Sequence, residues 1–143
     1  MTTKKYLLQV RELEMKIKML TTEIEHRRAL AQSISAVTYD KDKVQSVGVH
    51  DRTADRIAAI VDKQAVLLDM VDEYTKKRDE IVSQINEIDN SMFFCVLYGR
   101  YIAGLSLHSI GEYAGRQSRQ MRNINGRALQ AFEKKFGEKY RDL

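Results

Sequence analysis

The chain has 143 residues, no proline, one cysteine, and 24 Lys and Arg against 20 Asp and Glu. That length suits one domain, or a small domain with a helical appendage, and a single cysteine excludes an internal disulfide. No apolar run approaches the roughly twenty residues that span a bilayer, and Lys4 and Lys5 lead directly into a polar amphipathic segment rather than a signal peptide. A soluble, cytoplasmic protein with no membrane partner is the expectation.

Apolar residues keep helical spacing over most of the chain, which predicts an all-α fold. In the first stretch Tyr6, Val10, Leu13, Ile17, Leu20, Ile24, Ala31 and Ile34 alternate steps of four and three, broken once at Arg27. Such alternation keeps one seam turned toward a partner helix, as a coiled coil requires. The segment from about Val37 to Asp51, with Gly48 and several β-branched residues, reads as a connector that turns the chain back. Thr53 is placed to cap the next helix, although Arg56 stands where a capping box has glutamate.

The second stretch repeats the pattern with Ile60, Leu67, Val71, Tyr74, Ile81, Ile85, Ile88 and Met92, and Gln64 and Arg78 as polar exceptions. Each helix would run about 45 Å at 1.5 Å per residue. Long helices do not hold themselves together in water, so each seam needs cover from the other helix or from a second copy. The reading favoured is an antiparallel, coiled-coil-like hairpin over 1–90, with Leu7, Leu30, Ile57, Val61 and Leu68 left over for a second protomer. Arg27, Gln64 and Arg78 either set register or oligomeric state, or lie near solvent and extend their polar ends into it.

The remainder, 91–143, reads as a small separate domain. Cys95, between Phe94 and Val96, is expected as a small buried apolar residue. Tyr98 and Tyr101 fall at helical spacing beside Phe94 and Leu97; core packing is the stronger reading, stacking on bases the weaker. Gly99 and Gly104 look like helix-junction residues.

Ser106 then stands as an N-cap, Leu107, Ile110 and Ala114 form an inward face, and Gly115 suits a left-handed turn. Beyond it Met121, Ile124 and Ala128 make an apolar stripe, while Ser118, Arg119, Arg122, Asn123 and Arg127 point elsewhere. This is the pattern of a helix-turn-helix whose second helix enters a DNA major groove. Phe132 and Phe136 are expected to close the small core, with Lys134, Lys135 and Lys139 as additional phosphate contacts or a plain solvated face.

Charge agrees with that pattern. From Leu97 to Leu143 there are nine Lys and Arg against four Asp and Glu, and before Leu97 fifteen against sixteen. The net +4 therefore resides in the last third, and four arginines but no acid lie between Glu112 and Glu133. Neutralised phosphates supply most non-specific DNA affinity, and the arginine fork reads guanine.

The chain resembles a family. A long amphipathic helix carries Arg28-Ala29-Leu30-Ala31-Gln32-Ser33-Ile34-Ser35, and Asp42-Lys43-Val44-Gln45-Ser46 follows it. A second long helix and a terminal helix-turn-helix complete the order. This is similar to ArpU/RinA-type, sigma-factor-like late transcriptional regulators of phages and prophages of Gram-positive bacteria. Leu97-Tyr98-Gly99-Arg100-Tyr101-Ile102-Ala103-Gly104-Leu105-Ser106 resembles the lead-in to the region 4 helix-turn-helix of sigma factors.

The resemblance implies a sequence-specific regulator in a bacterial host cytoplasm that binds double-stranded DNA near promoters and has RNA polymerase as a possible second partner. It carries the DNA-contact role to Ser118, Arg119, Arg122 and Asn123, with Arg116 and Arg127 beside them. Where the family usually has tryptophan, alanine, leucine and a serine cap, this chain has Leu107, Gly111, Ala114 and Gln117. Glycine inside a helix costs about 0.5–1 kcal/mol against alanine, and glutamine caps poorly, so a looser domain, or one that folds fully only against a partner or DNA, is expected.

Two other functions fit the same elements: a small terminase subunit that marks viral DNA for packaging, and a protein-interaction module with no DNA binding of its own. An assembly of many subunits would favour the first. An enzyme is not expected, because His26, His50 and His108 lie far apart and in different contexts. One cysteine and scattered histidines give no metal-ligand spacing. No phosphate-cradling glycine loop is present either, so neither cofactor nor metal is expected.

Overall fold

The computed structural model describes residues 1–41 and 46–143, with side chains described for 1–34 and 52–143. The fold is all-α. Helix α1 spans Thr3–Lys41 and α2 spans Ser46–Asn86, and the two pack as a hairpin. Three shorter helices follow and pack together: α3 (Ser91–Leu97), α4 (Leu107–Ala114) and α5 (Ser118–Phe136).

The long helices have 39 and 41 residues, about 58 and 61 Å at 1.5 Å per residue. They exceed the expected 45 Å because the connector read over Val37–Asp51 is largely helix. Thr53 accordingly lies inside α2 rather than at its cap. β-Branched residues lower helix propensity by only tenths of a kcal/mol each, and with no proline nothing obliges the helices to stop. The motif Asp42–Gln45 lies outside the described residues.

The chain divides into two units, Met1–Glu14 with Tyr74–Leu143, and Met15–Glu73. The first holds the core. Tyr6, Leu7 and Val10 of α1 and Ile81 and Ile85 of α2 are buried with Leu97, Tyr101, Ala128, Phe132, Phe136 and Tyr140. Tyr6 stacks on Tyr140 at 4.3 Å between ring centroids, and the Thr3 and Tyr140 hydroxyls are hydrogen bonded at 2.8 Å. The Tyr6 hydroxyl donates to Gln84 Oε1 at 3.0 Å. Burial pushes the Tyr6 phenol up to about 12, with the Glu80 carboxylate adding to the rise.

Leu7, expected on an outer face, is fully buried. Here α1 meets α5 and the chain's end as well as α2, so its buried arc widens beyond one seam. Cys95, expected inside, is exposed, because Val96 and Leu97 take the inward positions of α3. Asn90 caps α3, its Oδ1 accepting from the Met92 and Phe93 amides at 3.0 and 3.1 Å.

In the second unit α1 and α2 pair more thinly. Leu30, Ala31 and Ile34 of α1 and Ala59 and Ile60 of α2 line a common groove, and Ile24 is the one fully buried residue among those described there. Arg27 Nε donates to Glu23 Oε1 at 2.7 Å and holds that carboxyl below its ordinary range. No helix among the described residues is long and apolar enough to cross a membrane.

Candidate nucleic-acid interface

Helix α3 does not stop at Leu97 but loosens into a π-helical turn, Tyr98–Ile102, closed by the Ala103 amide on the Tyr98 carbonyl at 2.9 Å. The extra residue in the turn swings Tyr101 fully into the core. Its hydroxyl donates to Asn125 Oδ1 on α5 at 3.3 Å, and burial raises its pKa. Gly104, at φ +74°, ends the turn beneath the Arg11 guanidinium.

Ser106 caps α4 as expected, its Oγ accepting the Ser109 amide at 3.1 Å. Gly115 ends α4 in the left-handed region at φ +66°. The Gly115 amide donates to Glu112 O at 3.4 Å and the Arg116 amide to Gly111 O at 2.8 Å, which is the paired closure of a Schellman turn. Three residues, Gly115, Arg116 and Gln117, then separate α4 from α5, a helix-turn-helix spacing. Gln117 occupies the N-cap position of α5 with no side-chain capping bond.

At Gly111 the turn leaves no room for a side chain. A Cβ built there would lie 2.6 Å from the Arg116 carbonyl oxygen and 3.0 Å from Met121 Cγ. The turn folds back so closely on α4 that alanine has no room. What the sequence suggests is a propensity cost is the condition for this tight turn.

The core fixes which face of α5 points outward. Met121 is buried with Ile110 and Val96, and Ile124, Leu107 and Ala114 pack partly buried beside them. Ala128, Phe132 and Phe136 join the main core. With Tyr101 bonded to Asn125, α5 cannot roll about its axis without breaking all of these contacts.

The structure gathers some of the expected contact residues and sets others apart. Arg119, Arg122 and Asn123 are exposed and, at about 100° per residue, share one face of α5 opposite Met121 and Ala128. Arg116 is exposed in the turn just before α5, and Arg127 is exposed at the edge of that face. Ser118 is half-buried and turned toward α4, where its Oγ lies 3.3 Å from His108 Nδ1. The other ring nitrogen of His108 lies 3.1 Å from Glu112 Oε1.

Of the terminal lysines, Lys135 donates to the Glu87 carbonyl at 2.8 Å and Lys139 lies over the Phe136 ring. Lys134 is exposed.

Two exposed residues of α4 and α5 carry no sequence signal. Gly126 lies in the middle of the arginine-bearing face with nothing within 4 Å of a Cβ placed on it. Tyr113, 87% exposed, rims an apolar groove of about 440 Å³ with Phe94, Tyr98, Leu105 and Ile110 in its wall. Both become visible only once the roll of α4 and α5 is fixed by packing.

No protein-family model, curated protein or solved structure matches the chain.

Proposed function

We propose that the chain binds double-stranded DNA through the outer face of α5 and acts as a sequence-specific transcriptional regulator of the phage, sigma-like kind, with RNA polymerase as a second partner near the promoter. The observation that carries this reading is the joint exposure of Arg119, Arg122 and Asn123 on a helix that follows a three-residue glycine turn and is locked in roll by its opposite face. Side chains on such a face reach base edges when the helix lies in a major groove. Arginine pairs bidentately with guanine and asparagine with adenine, each good pair contributing about 1–3 kcal/mol of discrimination. Arg116 and Arg127, flanking that face, suit phosphates, which position the protein without reading sequence.

The test is fluorescence anisotropy with labelled duplex DNA over a series of salt concentrations. Arg119→Ala/Arg122→Ala is expected to weaken binding at least tenfold. If those arginines neutralise phosphates, the slope of log affinity on log salt also falls by about 0.9 for each phosphate no longer neutralised. Equal affinity and slope for the variant and the wild type would refute the assignment.

A further inference from the structure

Six glycines lie within 52–143, and for five of them the fold supplies a reason. Gly104 and Gly115 take positive φ. A Cβ on Gly99, Gly111 or Gly137 would meet a neighbour within 3.1 Å. Gly126 is the exception. It lies in the interior of α5, it is exposed, and nothing stands within 4 Å of a Cβ built on it. Glycine at such a position weakens a helix relative to alanine, and no close neighbour inside the molecule requires it.

Gly126 follows Arg119 by seven residues, Arg122 by four and Asn123 by three. At 3.6 residues per turn those steps put it within about 60° of each around the helix axis, between Arg122 on one side and Asn123 on the other. Arg127 is the next residue, and no acid lies between Glu112 and Glu133. The bare stretch of backbone is therefore framed by cations, which suits a polyanion.

We infer that Gly126 is the point of closest approach between α5 and the duplex, where the missing side chain lets helix backbone lie in van der Waals contact with DNA. The inference deepens the DNA-binding reading above and rests on it. Asn123 supplies a second argument. Its amide is one methylene from the backbone, so it reaches an adenine edge only when the helix lies deep in the groove. A helix with its side chains is about 10–12 Å across, and the major groove is about 12 Å wide. A side chain on the inserted face, one turn from Asn123, would use up that clearance. Arginine has length to spare at 119 and 122; asparagine does not. Gly126 is thus a positioning residue: it reads no base itself and sets the depth from which Asn123 does. Local rules of helix stability are commonly broken at functional sites for such reasons.

In the experiment the wild type first selects a site from a randomised pool of duplexes. Binding to that labelled duplex is then measured by anisotropy across a salt series, with urea unfolding of each protein alongside. Gly126→Ala and Gly126→Leu are expected to be at least as stable as the wild type, since both residues are better helix formers and the space is open. Gly126→Leu is nevertheless expected to bind about tenfold more weakly or worse, and Gly126→Ala by an intermediate amount, the penalty growing with side-chain size. The slope of log affinity on log salt is expected to stay at the wild-type value, because no cation is lost. Gly126→Leu binding no more weakly than the wild type or Gly126→Ala, or a loss accompanied by a shallower salt slope, would overturn the inference. The DNA reading would survive that result as long as Arg119→Ala/Arg122→Ala still loses affinity. A wild type that selects no site, or a double arginine variant that binds like the wild type, would overturn both.

Discussion

Gly111→Ala sets two physical effects against each other. Helix propensity alone predicts a gain, because alanine is favoured over glycine in a helix interior by about 0.5–1 kcal/mol. The structure predicts a loss, because the new methyl would sit 2.6 Å from the Arg116 carbonyl oxygen and 3.0 Å from Met121 Cγ. The first neighbour is backbone held by the Arg116–Gly111 hydrogen bond, so it cannot swing aside as a side chain would. Overpacking of this kind costs about 1–3 kcal/mol. The net is a destabilisation of about 1–2 kcal/mol, which lowers Tm by roughly 3–6 °C for a protein of this size. Gly126 supplies the internal control, being helical and exposed with open space around it. Gly126→Ala should therefore stabilise by about 0.5–1 kcal/mol. Urea and thermal denaturation followed at 222 nm measure both. If Gly111→Ala matched or exceeded the wild type, the tight closure of α4 onto the turn would be refuted.

The core and its edges are equally open to test. Phe132, fully buried between Tyr6, Phe136 and Tyr140, should cost about 3–5 kcal/mol when changed to alanine, read from urea midpoints. Asn90→Ala removes the cap that accepts two amides of α3, and a loss of about 1 kcal/mol is expected in the same assay. Burial raises the Tyr6 phenol from its ordinary 10 to about 12, and raises Tyr101 and Tyr140 in the same direction. A raised folded pKa means that the native state binds the proton more tightly. The corresponding stability is present in full below pH 10 and is lost as pH rises toward 12. Alkaline unfolding should therefore set in over that window, and Tyr6→Phe, which removes the titrating group, should flatten the pH dependence.

The helical class and the helix-turn-helix are legible in the sequence because their signals are local. Ser106 caps, Gly115 turns, and Met121 and Ala128 face inward, each fixed by residues within a turn or two of it. The two heptad tracks likewise predict the pairing of α1 with α2, because a four-three spacing constrains one face whatever the rest of the chain does.

Local pattern cannot supply anything set by a third neighbour. Leu7 lies off the seam and so reads as outer surface, yet it is buried because α5 and Tyr140 close over that end of α1. Cys95 sits among apolar residues, but Val96 and Leu97 take the inward positions of α3. Gly111 reads as a propensity cost until the Arg116 carbonyl is placed above it. The candidate site divides the same way. Exposure of Arg119, Arg122 and Asn123 follows from period alone, whereas the turn of Ser118 toward His108 depends on how α4 and α5 meet.

The central claim is that α5 reads DNA. It is tested most directly by enriching fragments of the source genome on the purified protein near physiological salt, beside the Arg119→Ala/Arg122→Ala variant. A discrete set of fragments near promoters, absent with the variant, is the predicted result. Equal recovery by both proteins, or no recovery by either, would contradict it.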